Sequence, residues 1–392
     1  MKWMIDFWKD IYYVLRREFY MIFRDHAVLT FFVALTLAYP ITYAYIYSNE
    51  VAREIPVAVV DQDKSSESRE FIRNWNATAG VDVVAYCSNM EEAKKLMYRK
   101  KIYGILEVPS DFSRWIARGE QAHVSLFCDM SALLNYKTLL TAATDVSLAM
   151  GKKIQVDGME YASKIQQQLT ASPVKVREVK MYNPQSGFTS FLIPAVLILV
   201  IQQSLLLGMG TIAGTERDRN IKKRMIPRNM HYRYPLRVVL GKGMIYLPIY
   251  FVMGYWILFI VPRIFGMTQI GAKLELMWFL LPFLLSCIFF AMILSFLSKE
   301  REMPYLLFVF TSVPLMFISG ISWPKTAIPE YWLWISNVFP STHGINGFIS
   351  INNMGATLSQ VSCEFYSLWI LTFIYFGLAY FLYKKEVEKI WG

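Results

Sequence analysis

Histidine is the side chain that most often titrates, relays protons or ligates metal near neutral pH. This chain has four, His26, His123, His231 and His343, all far apart in sequence. The H-E-x-x-H pair that would place two of them on one helix face around a zinc ion is absent. So is the G-x-S-x-G turn that would raise a nucleophilic serine out of a sheet. A nucleotide hydrolase needs G-x-x-x-x-G-K-[ST] to wrap phosphates in backbone N–H groups, and no such segment occurs. Gly241-Lys242-Gly243 has neither that spacing nor a strand before it. Four cysteines cannot build a disulfide scaffold or a zinc ribbon. The expectation is a chain without metal, cofactor or catalytic centre of its own.

Composition explains why such residues are sparse. Of 392 residues 55% are hydrophobic and 18% charged, against roughly 45–50% and about 25% in soluble domains. The surplus apolar surface has to be covered, and a bilayer covers it. The net charge of +10 would suggest nucleic acid in a soluble protein. Here it reads as basic loops beside a membrane, with no nucleic-acid partner.

A spanning helix takes about 20 mostly apolar residues. Six stretches qualify: Ala27–Tyr47, Gly187–Ile212, Val238–Val261, Leu276–Leu297, Tyr305–Ile321 and Tyr366–Tyr383. The fifth is short and bracketed by prolines. The first is longer than the apolar core of a cleaved signal peptide and reads as a retained anchor. Grouped by side, the N-terminal tail, 215–237, 299–303 and the C-terminal tail carry 18 Lys and Arg. The alternate short loops hold only Arg263, Lys273 and Lys325. Positive charge stays in the cytoplasm, so both termini are expected there and residues 48–186 outside. Lys242, at the cytoplasmic start of the third span, is expected to snorkel to the interface. Prolines 40, 194, 248 and 282 read as local kinks or as hinges.

The fold expected is an α-helical integral membrane protein of six transmembrane helices with an inserted external α/β domain. Residues 1–26 form a cytoplasmic interfacial helix, 27–47 the first span and 48–186 the external domain. Residues 187–383 form a five-helix membrane domain with a cytoplasmic loop at 213–237 and an external re-entrant segment at 321–364. Residues 384–392 form a cytoplasmic tail. Within the external domain IPVAVVDQD, VDVVAYCS, IYGILEVP and HVSLFCD alternate as strands. Helical patterns cover Ser66–Ala77, Met90–Lys101 and about Ser131–Leu169, and VKVREVKMY reads as a returning strand. Cys87 and Cys128 end two of these strands where disulfides persist. They are either bridged, if the strands are neighbours, or two buried thiols.

At the N-terminus Phe7–Phe23 mixes aromatics with Lys9, Arg16 and Arg17. Such a helix suits the membrane interface, apolar side in acyl chains and basic side toward headgroups. The alternative is a plain extension of the first span. Arg16, Arg17, Glu18, Arg24 and Asp25 are its polar candidates. In 321–364, Pro324, Pro329 and Pro340 prevent a continuous span, while Trp323, Trp332 and Trp334 suit the outer interface.

Three blocks carry a resemblance. LRREFYMIFRDHAVL followed by IPVAVVDQDKSSESREF is similar to an R-E-f…R-D entry helix and a V-D-x-D-x-S-x-x-S-R strand and turn. GTERDRNIKKRMIPRNMHYRYPLRVVLGK is similar to a cytoplasmic E-x-x-x-G-T-x-x-x-L…P…LGK loop, although here Gly214-Thr215 precede Glu216 and Ile221 stands near the leucine position. SGISWPKTAIPEYWLWISNVFPSTHGINGF is similar to an external S-G-x-x-x-P…P…w…P-t…f segment. In this order the blocks resemble the bacterial ABC-2-type transporter permeases with one N-terminal span, a large external domain and five further spans.

The resemblance implies a permease subunit of the bacterial inner membrane that exports a small amphipathic molecule, drug or lipid. It implies a separate ABC-type ATP-binding subunit carrying ATP and magnesium, and a second permease copy or sister permease. A periplasmic adaptor would fit the external domain. It further implies an ATPase-coupling loop at Glu216, Arg217, Asp218, Arg219, Arg224 and Arg228. A membrane receptor or anchoring protein is the alternative, disfavoured by five spans after the domain and by the lack of a cytoplasmic signalling domain. An intramembrane enzyme is disfavoured by the lack of paired catalytic groups.

Overall fold

Helix α1 (Lys2–Arg24) opens the chain because its apolar residues recur at helical spacing on two sides. Ile11, Val14, Glu18 and Ile22 are buried, while Met4, Ile5, Trp8, Tyr12, Phe19 and Phe23 stay exposed. Asp25 ends it and caps the next helix, its carboxylate accepting from the Ala27 N–H at 3.1 Å. Helix α2 (His26–Ile46) widens to π-helical hydrogen bonding over Phe31–Ala38, just before Pro40. A proline ring clashes with the carbonyl four residues back, and a wider turn accommodates it. The computed structural model describes residues 2–47, 51–157, 181–183, 187–220 and 224–391. The chain divides into two units, Met1–Glu50 with Lys180–Gly392, and Val51–Val179.

The second unit is an α/β layer structure. Strands β1 (Ile55–Asp61), β2 (Val81–Tyr86), β3 (Gly104–Val108) and β4 (Ser125–Cys128) form one sheet in the order β2-β1-β3-β4. β1 is parallel to β2 and β3, and β4 runs antiparallel to β3. Helices α3 (Ser66–Asn76), α4 (Met90–Tyr98), α5 (Phe112–Ala117) and α6 (Leu133–Asp157) connect and cover the strands. β1 is apolar at every position from Val57 to Val60 because both faces are covered. Val57 and Val59 pack with Phe71, Trp75, Leu106 and Leu139. Ala58 and Val60 pack with Ala93, Ile102 and Ile105.

The acidic turn after β1 is structural. Asp61 accepts from the Asp63 and Lys64 N–H groups and from Ser68 Oγ, while Asp63 accepts from Ser113 N–H and Oγ. Residues 158–169 of the expected long helix, and 174–180 of the expected returning strand, lie outside the described residues.

Of the two readings left open for Cys87 and Cys128, the structure has the free thiols. Cys87 follows β2 and Cys128 ends β4, at opposite edges of the sheet, roughly three strand spacings of 4.8 Å apart. A disulfide needs Cα atoms about 5.5–6 Å apart. Both are free thiols, and burial pushes Cys128 up to about 11. Alkylation of the unfolded chain without reductant should therefore modify all four cysteines. In the folded chain at pH 8, Cys128 should react about a hundredfold more slowly than a thiol of ordinary pKa, since only the thiolate attacks. A missing pair of alkylated thiols would contradict this arrangement.

The first unit is a helical bundle. Beyond α1 and α2 it contains α7 (Phe188–Arg219), α8 (Pro235–Ile264), α9 (Lys273–Ser295), α10 (Met303–Ile318), α11 (Glu330–Ser336), α12 (Pro340–Asn352) and α13 (Ser362–Trp391). Five of these are long and apolar enough to cross a membrane: α2, α7, α8, α9 and α13. The expected fifth span, Tyr305–Ile321, forms a shorter apolar helix. Its helix α10 has 16 residues, about 24 Å of rise against about 30 Å of hydrocarbon. Pro304 starts it late, and Gly320, with φ +89°, ends it.

Helix α7 is the centre, packed against α2, α9, α10 and α12. Pro194, Pro248 and Pro282 lie inside continuous helices. Helix α12 reaches the core through its small residues. A Cβ on Gly344 would stand 2.5 Å from the Phe283 ring, so only glycine permits that approach.

Candidate functional site

The segments that charge grouped together meet at one end of the bundle. Several polar groups there find a partner on another segment. Asp10 pairs with His231 at 2.6 Å and with Arg237. Asp25 pairs with Arg301 at 2.7 Å. Arg217 donates to the carbonyls of Phe296 (3.0 Å) and Ser298 (2.6 Å), left open where α9 ends. The Met225 N–H donates to Glu386 at 3.3 Å.

At the centre of this end lies a buried ion cluster. The amphipathic spacing of α1 puts Glu18 on the same face as Ile11, Val14 and Ile22, and that face packs on α8. Lys242 of α8 lies 3.1 Å from Glu18 and 3.8 Å from Glu216, at the end of α7. Arg17 lies 2.6 Å from Glu216 and donates to the Tyr232 hydroxyl at 3.1 Å. The Tyr246 hydroxyl donates to Glu18 at 2.9 Å.

Two cations and two carboxylates balance to zero, the arrangement that makes burial of charge tolerable. Glu18 is 1% exposed and Lys242 3%. Burial opposes the charge on Arg17, but Glu216 and Tyr232 outweigh it and hold the guanidinium above its ordinary pKa. Burial pushes the Tyr232 phenol up to about 12. Both groups therefore keep one protonation state across the physiological range. The cluster is a mechanical tie between α1, α7 and α8.

This geometry corrects two expectations. Lys242 does not snorkel; it turns inward to Glu18, because an inward carboxylate is closer than water. Glu216 and Arg217, expected in the cytoplasmic loop at 213–237, belong to the last turn of α7 and point into the protein. Asp218, Arg219 and Arg228 are exposed, and Arg224 is half-buried. On α1, Arg17, Glu18 and Asp25 face the protein, whereas Arg16 and Arg24 are exposed. Sequence reading missed Asp10, Tyr232, Tyr246, Arg237, Arg301 and Glu386. The available signal was complementary: one glutamate on an apolar helix face and one lysine in an apolar run, each without a partner in its own helix.

At the opposite end, Pro324 and Pro329 precede short helical turns, Lys325–Ala327 and α11, and Pro340 starts α12. Trp323, Trp332 and Trp334 are exposed. Helix α12 is tied down by its Ser341 N–H, which donates to Gln202 of α7 at 2.7 Å. Between α2, α7 and α10 lies a largely apolar cavity of about 410 Å³, walled by Tyr39, Tyr43, Tyr47, Val196 and Met316. Gln203 supplies its polar edge and bonds Thr311 at 3.1 Å. Among the described residues no cluster of His, Cys, Asp and Glu is arranged to hold a metal ion.

Comparison with known proteins adds two findings. The family model described as ABC-2 family transporter protein matches residues 26–381. The ABC transporter G family member 20 of Dictyostelium discoideum is 21% identical over 382 residues. That match covers 94% of this chain and 48% of the relative, so the chain spans about half of that protein's length.

Proposed function

The chain belongs to the ABC-2 family of transporter proteins, and on that premise we propose that it is the permease subunit of a bacterial exporter, moving a small amphipathic molecule, drug or lipid outward. Membership implies pairing with an ATP-binding subunit, which on this reading supplies ATP and magnesium while the permease holds no cofactor of its own. The observation that carries the reading is the charged end of the bundle. There α1, α7 and α8 are locked by buried ion pairs, while Asp218, Arg219 and Arg228 face outward beside them. A push on that rim reaches three helices at once.

The substrate class rests on the cavity lined by Tyr39, Tyr43 and Tyr47, which offers aromatic faces and one amide to an amphipathic molecule. A second copy or a sister permease would cover the exposed apolar side of α10, where Leu306, Val309, Phe310, Val313 and Phe317 stand out. Closed twofold symmetry is the usual solution for such a face. The protein would lie in the bacterial inner membrane as a multi-pass chain with both termini cytoplasmic. The unit Val51–Val179 would then be external, guiding substrate or docking a periplasmic adaptor. Export that survives deletion of residues 55–180 would remove that role.

A tagged chain, extracted gently and captured with its partners, tests the central reading. An ATP-hydrolysing subunit should accompany it. Asp218→Ala/Arg228→Ala should lower captured ATPase activity about tenfold or more, since both groups are exposed and hold nothing else in place. An unchanged, still stimulated ATPase would move the docking surface elsewhere. Failure to capture any ATPase would favour the receptor reading.

A further inference from the structure

A second cavity, of about 400 Å³, opens between α1 and the end of α7. Its charged lining is Arg17, Arg24, Asp25, Glu216, Arg219 and Arg224. Both carboxylates are already engaged, Glu216 by Arg17 and Asp25 by Arg301. Among the described residues Arg24 bonds only the Tyr20 hydroxyl, at 2.9 Å. Arg219 and Arg224 have no ion pair among the described residues. Three guanidinium groups therefore converge on one cavity without a counter-charge, where mutual repulsion would be relieved by an anion.

We propose that this cavity binds the phosphate of an anionic phospholipid headgroup. Guanidinium groups match phosphate oxygens two at a time. The rest of the lining is mixed, with Met21, Ile212, Met225 and Pro227 beside the arginines and Tyr20, Thr215 and Asn220 as its uncharged polar part. A phosphate with an attached glycerol and acyl stem fits such a mixed wall; a bare inorganic ion uses only half of it.

Placement points the same way. The cavity lies at the junction of α1 and α2, where the exposed Phe19 and Phe23 adjoin Tyr20 and Arg24 of the lining. The next helix carries no charged residue from Ala27 to Ile46. Acyl chains can follow the Phe19–Phe23 side while the headgroup turns into the arginines. Basic pockets between helices on the cytoplasmic side of a membrane hold phospholipid headgroups in this manner. Occupancy links α1 through Arg24 to the end of α7 through Arg219 and to the following segment through Arg224. The site goes beyond the transport reading and rests on it only in placing α1 along the membrane surface.

The test uses the full chain in nanodiscs of phosphatidylcholine with or without phosphatidylglycerol. Native mass spectrometry after release counts retained phosphatidylglycerol. The native chain should retain it selectively. Arg24→Gln/Arg224→Gln should weaken retention roughly thirtyfold, the factor for two basic groups near an anionic lipid, and the Lys/Lys variant should restore most of it. Arg228→Gln, one loop residue outside the cavity, should leave retention unchanged. If Arg228→Gln matches the double variant, the attraction is diffuse and the site falls. Equal retention by native and double variants also overturns it. Inorganic phosphate at millimolar concentration should not displace the lipid; if it does, the cavity is a free-phosphate site and the lipid assignment fails. Should the double variant unfold, the exposed Arg219→Gln carries the same comparison. None of these readouts depends on an ATPase partner, so the site and the transport reading can fail separately.

Discussion

Lys242→Met should lower the stability of the membrane unit by about 3–5 kcal/mol, the cost of leaving buried carboxylates without their cation. The cluster is neutral as built, and the substitution leaves Glu18 and Glu216 sharing Arg17 alone. Glu18 lies close to Lys242 and takes its other hydrogen bond from Tyr246, so it bears most of the loss. Glu18→Gln by itself leaves the opposite imbalance and should also destabilise. The double variant should recover part of the sum, with a coupling of about 1–3 kcal/mol. Thermal unfolding in one detergent compares all four chains. Arg228→Met, at an exposed position, should move the midpoint little, since surface charges contribute about 0–1 kcal/mol. If Lys242→Met melts with the native chain, the buried pairing is wrong.

The second large effect belongs to the α/β unit. Trp75→Ala should cost about 3–5 kcal/mol, through lost burial and the cavity left behind. Trp75 is fully enclosed, and Phe71 on the same helix meets Phe112 edge to face at 6.3 Å between ring centres. It anchors α3 to the sheet face formed by Val57, Val59 and Leu106. Limited proteolysis should therefore cut within 51–157 far faster in the variant. Tyr86→Ala, on an edge strand with the side chain largely exposed, should leave the cleavage rate near the native value. A Trp75→Ala chain as resistant as the native one would remove this side chain from the core.

Much of this was readable from residue order. Apolar runs of about 20 residues located the five long helices, and the alternation of apolar strands with helical patterns in 55–128 located the α/β unit. The length of α10 was harder, because hydropathy continues past the point where Gly320 turns the backbone. Strand order was not readable at all. Nothing in VDVVAYCS or HVSLFCD states that β1 and β3 lie between them, and that order separates Cys87 from Cys128.

The sequence by itself determined the class: apolar length, basic asymmetry and missing catalytic motifs follow from composition and spacing, which act locally or by simple count. Tertiary structure alone decided which charges meet. Glu18 and Lys242 are 224 positions apart, and each in isolation obeys the rule that a charge seeks water. Packing α1 across α8 and the end of α7 replaces that water with opposite charge, and this cancellation cannot be computed from either helix alone. The same packing turned Glu216 and Arg217 inward and left Arg24, Arg219 and Arg224 around an open cavity, because long-range pairing assigns each charge a partner or leaves it without one.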